Sequence, residues 1–234
     1  MEQRLTDLER LSRAEHAFAV SGAEPAAVRL CLAVDIERYS RFTSTEAARA
    51  QARFVGILRF ARACASIRDS DVAARDAGDA QFLVLASGLD ESAVIPGLVT
   101  GLSEALRQTN ADLTERARLR LRVAMHRGLL RPGANGWTGT AATAVHRLVD
   151  SAPVRAALIG EPAVDFALIV ADALYRDVIA HGYPGLAPSW FQETVVDVPD
   201  KSFREPAWVY TEIRAHRGSQ HLFPLEHSDR SRSA

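Results

Sequence analysis

Leu30-Cys31-Leu32-Ala33-Val34-Asp35-Ile36 places a carboxylate at the end of an apolar run, and Asp76-Ala77-Gly78-Asp79-Ala80-Gln81-Phe82-Leu83-Val84-Leu85 places another at the start of one. Short apolar runs of this kind, bounded by turn residues, read as strands with both faces buried. Ionised carboxylates are seldom buried unless they are paired or bound to a metal, so Asp35 and Asp79 on neighbouring strands imply a shared cation. All-oxygen ligation favours Mg²⁺ or Mn²⁺, and Mg²⁺ held by one or two carboxylates keeps positions open for phosphate oxygens. The pair therefore predicts a phosphate-bearing substrate.

Outward from this pair the chain alternates strand and helix. Residues 28–36 form the expected central strand. Residues 45–67 carry Ala47, Ala50, Phe54, Ile57, Leu58, Ala61 and Ala65 on one side and arginines opposite, which predicts an amphipathic helix. Short strands are expected over 71–75 and 81–86, joined by a turn in which Gly78 can take a positive φ. A second helix is expected over 91–113, and the alternation in 119–125 marks a strand. The Gly- and Asn-rich stretch 133–139 is read as a loop, and 140–151 as a helix carrying Arg147. Further on, a strand at 166–170, a helix at 171–180 and a hairpin of 191–198 with 208–213 are expected. The order β-α-β-β-α-β with later additions is an α+β, ferredoxin-like plan with extra C-terminal strands and a helix.

At the N-terminus Leu5, Leu8, Leu11 and Phe18 recur at helical spacing, which predicts an amphipathic extension over residues 1–25, packed on its own domain or against a second chain. The main domain is expected over 26–214. The polar segment 215–234, rich in Ser, Arg and His, is expected to be disordered. With 234 residues, 47% of them hydrophobic, the chain suits one well-filled domain. A formal charge of −1 and a pI near 6.7 give no basic field for nucleic acid. No stretch reaches the ~18 uninterrupted apolar residues of a membrane span, and no export signal precedes the first strand, so a cytoplasmic location is expected. Cys31 and Cys64 read as small buried hydrophobes in a reducing compartment.

Asp35-Ile36-Glu37-Arg38-Tyr39-Ser40, then Gly78-Asp79 in a hairpin, then Leu121-Arg122-Val123-Ala124-Met125-His126-Arg127-Gly128, then Gly139 followed by His146-Arg147-Leu148 form an ordered set. Together they resemble the class III nucleotidyl cyclases over residues 28–151, with weaker similarity in the strands to Ile213. The resemblance implies two Mg²⁺ or Mn²⁺ ions per active site, held by Asp35, Asp79 and the Ile36 carbonyl. Arg147 falls where the family stabilises charge developing on the α-phosphate, a task suited to an always-charged, forked guanidinium. Thr143 stands where the family usually has asparagine, and its hydroxyl lacks the amide's reach. Lys201, the only lysine in the chain, matches the triphosphate-binding lysine, with a solvated loop lysine as the competing reading. The resemblance also implies a head-to-tail homodimer whose sites are shared, so that Asp35 and Asp79 would face Arg75, Thr143 and Arg147 of the other protomer.

Adenylate-type members read adenine through a lysine and an aspartate; the matching positions here hold Arg75 and Gly136. Arg75 supplies only donors, which suit carbonyl acceptors, and uracil displays two. This pattern resembles the pyrimidine cyclases of bacterial anti-phage signalling and implies a nucleoside triphosphate substrate, UTP ahead of CTP, with the cyclic product activating a separate effector. A divergent adenylate or guanylate cyclase, and a degenerate cyclase-like domain that binds a nucleotide or a partner without turnover, are the alternatives. His126 and His146 are read as structural, and the chain has neither a zinc-ligand spacing nor a Walker loop.

Overall fold

The structure, a computed structural model, describes residues 25–211. The expected N-terminal helix, the polar tail and Ile213 lie outside the described residues. Strand β1 (Ala27–Ile36) leads through helix α1 (Ser44–Cys64) to a hairpin of β2 (Val72–Ala77) and β3 (Ala80–Leu85). Helix α2 (Glu91–Asn110) then returns the chain to β4 (Leu121–Gly133). The sheet order β2-β3-β1-β4, with β1 antiparallel to both β3 and β4, is the expected βαββαβ plan. It continues through β6 (Phe166–Ala171), parallel to β4, and β8 (Phe203–Thr211) to the edge strand β7 (Phe191–Val198).

Alternation along β1 divides the core into two layers. Leu30, Leu32, Val34 and Ile36 pack with Phe54 and Ile57 of α1 and Leu98 and Leu102 of α2. Cys31 and Ala33 face the opposite layer, with Val145 and Leu148 of helix α3 (Thr140–Val149) and Val154 of helix α4 (Ala152–Gly160). The period of two therefore directs Asp35 to the α3 side. Small residues bring α3 close to the sheet: a Cβ on Gly128 would stand 2.8 Å from the Ala141 Cβ. Thr43 and Glu46 form a reciprocal capping box that starts α1.

Four elements differ from expectation. Residues 133–139 are not a loop: β4 runs on to Gly133 and folds back as β5 (Gly136–Thr138), with Gly133 opposite Gly136. Gly and Asn favour loops, but they also make tight hairpin turns. Helix α4 was not anticipated; Pro153 lies in its first turn, where a missing N–H costs little. Strand β8 begins at Phe203 rather than 208, because Pro206 pairs only with β7, beyond the β6 ladder that starts at Ala207. The helix expected over 171–180 is the short α5 (Asp172–Asp177) followed by a 3₁₀ turn.

Candidate active site

Asp35 lies in register with Ala80 of β3 and Arg122 of β4. The Ile36 N–H donates to the Asp79 carbonyl at 2.9 Å, which ties the β2–β3 turn to the end of β1. Gly78, at φ 68°, supplies the left-handed residue of that turn, and Asp79 is its half-buried neighbour. The two carboxylate-bearing residues are thus adjacent, as their places on neighbouring strands require.

Asp35 also has a charge partner across the sheet. Arg122 Nε donates to Asp35 Oδ1 at 2.7 Å, and Arg122 Nη2 donates to Oδ2. The side chains are 14% and 13% exposed, so the guanidinium is a close and largely buried counter-charge to Asp35. The reason is register: Leu121, Val123 and Met125 fill the α1–α2 layer, which sends Arg122 to the face where Asp35 points. Arg122 Nη1 is also 3.7 Å from Asp150 Oδ1, and that oxygen accepts from Arg155 Nη2 at 3.0 Å. Burial pushes the Asp35 carboxyl up to about 6; Arg122 opposes this, while Asp150 and Asp79 raise it further. The charges of Asp150 and Asp79 thus add to the negative surroundings of Asp35, which a divalent cation would relieve. The donors are all oxygen, as Mg²⁺ prefers. Among the described residues no three Asp, Glu, His or Cys side chains converge as ligands. Asp35, Asp79 and the Ile36 carbonyl would hold such an ion, with substrate oxygens and water completing its shell.

Beside this pair, Asp35, Arg75, Phe82, His146 and Asp150 line a cavity of about 360 Å³. Arg75, Phe82, His146 and Asp150 also border a second cavity of about 490 Å³, whose other walls include Thr143, Arg147 and Lys201. One chain therefore brings Arg75 of β2, Thr143 and Arg147 of α3, and Lys201 of the β7–β8 turn onto one concavity, next to Asp35. Thr143 and Arg147 are one helical turn apart and share a face of α3. Arg147 is held with its guanidinium carbon 5.0 Å from the centre of the Phe203 ring. Lys201 is exposed, in a 3₁₀ turn ahead of Ser202 at φ 46°. Asp79 borders neither cavity.

The β4–β5 hairpin fixes Arg75. Arg75 Nη1 donates to Asn135 Oδ1 at 3.3 Å, and its guanidinium lies over Gly136, where a Cβ would stand 2.9 Å from the Arg75 Cζ. Gly136, at φ 112°, holds a backbone conformation that side chains oppose. His146 packs its ring 4.9 Å from Phe82, and burial lowers its pKa. His126 is engaged on both nitrogens, Nδ1 by the Arg127 carbonyl and Nε2 by Glu205, each at 2.9 Å. Sequence reasoning passed over Arg122, Asn135 and Asp150. Arg122 stood in a quoted strand, but its partner depends on strand register. Asn135 sits in a Gly-rich run that reads as a loop until the hairpin pairing is known.

No family model matches the chain, and no curated protein sequence matches it. Solved structures do. The guanylyl cyclase Cya2 superposes with a TM-score of 0.57 at 10% identity, over 81% of this chain and 93% of its own. An adenylate/guanylate cyclase/hydrolase from Silicibacter pomeroyi gives 0.54 at 16% identity, covering 80% and 97%. The adenylyl cyclase CyaB from P. aeruginosa gives 0.54 at 11%, covering 80% and 95%. At such identities the likeness is one of architecture. The chain has the fold of adenylyl and guanylyl cyclase catalytic domains.

Proposed function

We propose that this chain is a nucleotidyl cyclase that converts a pyrimidine nucleoside triphosphate, UTP ahead of CTP, to its 3′,5′-cyclic monophosphate and pyrophosphate. The observation that carries this reading is the convergence of Arg75, Thr143, Arg147 and Lys201 on one cavity within the cyclase fold, a half-site that the Asp35 and Asp79 of a second protomer would complete. In the reaction the ribose 3′-oxygen forms a bond to the α-phosphorus as the bond to the bridging oxygen of pyrophosphate breaks. Arg147 neutralises charge that develops on the α-phosphoryl oxygens, and the Thr143 hydroxyl hydrogen-bonds the ribose beside it. Lys201 holds the triphosphate. Arg38, Arg120, Arg122 and Arg155 border a further cavity of about 640 Å³ together with Glu37 and Glu115. Two divalent cations on Asp35, Asp79 and the Ile36 carbonyl would, when bound, lower the pKa of the 3′-hydroxyl and neutralise the leaving group. The chain's own share is orientation and fixed charge.

Arg75 is the base-reading group in this proposal, since a guanidinium only donates and so favours carbonyl-bearing bases. Head-to-tail homodimers would let one protomer's Asp35 and Asp79 meet the other's Arg147. The cyclic product would act on a separate effector as a cytoplasmic signal in anti-phage defence. A second reading is a cyclase-like domain that binds a nucleotide without turnover. Thr143 in place of asparagine and Gly136 in place of aspartate favour it.

Purified protein incubated with UTP, CTP, ATP or GTP and Mn²⁺ distinguishes the two, with products identified by mass. A cyclic pyrimidine nucleotide supports the proposal. Product from ATP or GTP alone overturns the base assignment and keeps the reaction. Absence of any cyclic product, with nucleotide bound, establishes the second reading.

A further inference from the structure

The contact between Arg75 and the β4–β5 turn has a chemical polarity. Arg75 can only donate, so Asn135 must present its carbonyl oxygen to Arg75 Nη1, and its amide orientation is fixed by that bond. The Asn135 oxygen has a second lone pair, and its NH₂ group has two donors. Taken in order, Arg75 N–H, Asn135 Oδ1 and Asn135 N–H form a donor–acceptor–donor row. Both residues border the 490 Å³ cavity.

Nucleobases differ in the row they show along the Watson–Crick edge. Uracil shows O2, N3–H and O4, an acceptor–donor–acceptor row that meets this one at all three positions. Cytosine shows O2, N3 and an exocyclic amine; its N3 has no hydrogen for the Asn135 oxygen, and its amine opposes the Asn135 donors. Guanine matches at O6 and N1–H but sets its 2-amino group against a donor, and adenine has no carbonyl. At Gly136, φ 112°, any side chain would strain the backbone, and its Cβ would force the Arg75 guanidinium to shift. We propose that Asn135 is a specificity-determining residue, which with Arg75 selects uracil, and that Gly136 is the platform that keeps Arg75 in line. The inference rests on the cyclase reading and deepens its choice of base.

The test measures equilibrium binding of 3′-deoxy-UTP and 3′-deoxy-CTP, which lack the attacking hydroxyl, by calorimetry with Mn²⁺, alongside turnover of UTP and CTP. Wild-type protein should bind the uridine analogue at least about tenfold more tightly, and Asn135→Asp should shrink that ratio about tenfold or more, since a carboxylate accepts from the cytosine amine and cannot donate to uracil O4. Asn135→Ala should weaken the uridine analogue and leave the cytidine analogue nearly unchanged. Gly136→Ala, which displaces Arg75, should also reduce the ratio. Equal wild-type affinities, or a ratio unchanged in Asn135→Asp and Asn135→Ala chains of native circular dichroism, would overturn the inference. Absence of turnover with a wild-type preference that Asn135→Asp abolishes would refute the cyclase reading and leave the base assignment standing.

Discussion

At the scale of single residues the Asp35–Arg122 pair decides most. Removing one member of a buried ion pair leaves the other without compensation, which costs about 3–5 kcal/mol. Arg122→Ala should therefore lower the denaturant midpoint strongly at pH 7.5. The pH dependence has a definite sign. Burial holds the folded pKa of Asp35 at about 6, above the value of an exposed aspartate, so the native state binds the extra proton between the two. The contribution of Asp35 to stability is full below the unfolded pKa and declines as pH rises through about 6. Without Arg122 the folded value climbs further, so the variant should regain much of its loss at pH 5; equal losses at pH 5 and 7.5 would contradict this account. A second residue-scale expectation concerns thiols. Cys31 is fully buried, donates to the His126 carbonyl at 3.3 Å and has its pKa pushed up to about 12, whereas Cys64 is exposed. Native protein should react with a thiol reagent rapidly at one cysteine, and mass mapping should find the label on Cys64.

At the scale of elements, α3 carries the proposed Thr143 and Arg147, and its distance from β4 is set by Gly128 against Ala141. Gly128→Val should overpack that contact at a cost of about 1–3 kcal/mol, read from chemical denaturation. Because α3 would be displaced, cyclase turnover should fall more than thermal stability alone explains. The β4–β5 hairpin shows how element identity limits sequence reading. Its Gly-Ala-Asn-Gly run is equally compatible with an open loop, and only the pairing of Arg131 with Thr138 and Pro132 with Trp137 makes it a hairpin. Most strands and helices were legible because their apolar period was strong. The omitted α4 and the late start assigned to β8 both trace to prolines, whose tolerated positions depend on which backbone N–H groups have partners.

At the scale of the whole molecule, the proposed dimer makes the site a property of two chains. A mixture of Asp79→Ala and Arg147→Ala protein, each inactive alone, should recover activity through heterodimers with one intact site; no recovery with heterodimers confirmed by native mass would reject the shared site. The sequence by itself determined the βαββαβ order, the division of β1 into two buried faces, and the adjacency of Asp35 and Asp79. Those follow from local period and turn chemistry, which act over a few residues. Tertiary structure decided who meets whom across the sheet. Arg122 reaches Asp35 from 87 positions away along the chain, and Arg75 reaches Asn135 from 60. Such pairings depend on strand register and on how closely a helix or hairpin lies against its neighbour. A one-residue slip of β4 would turn Arg122 to the other face and leave Asp35 alone, with no change in composition or period.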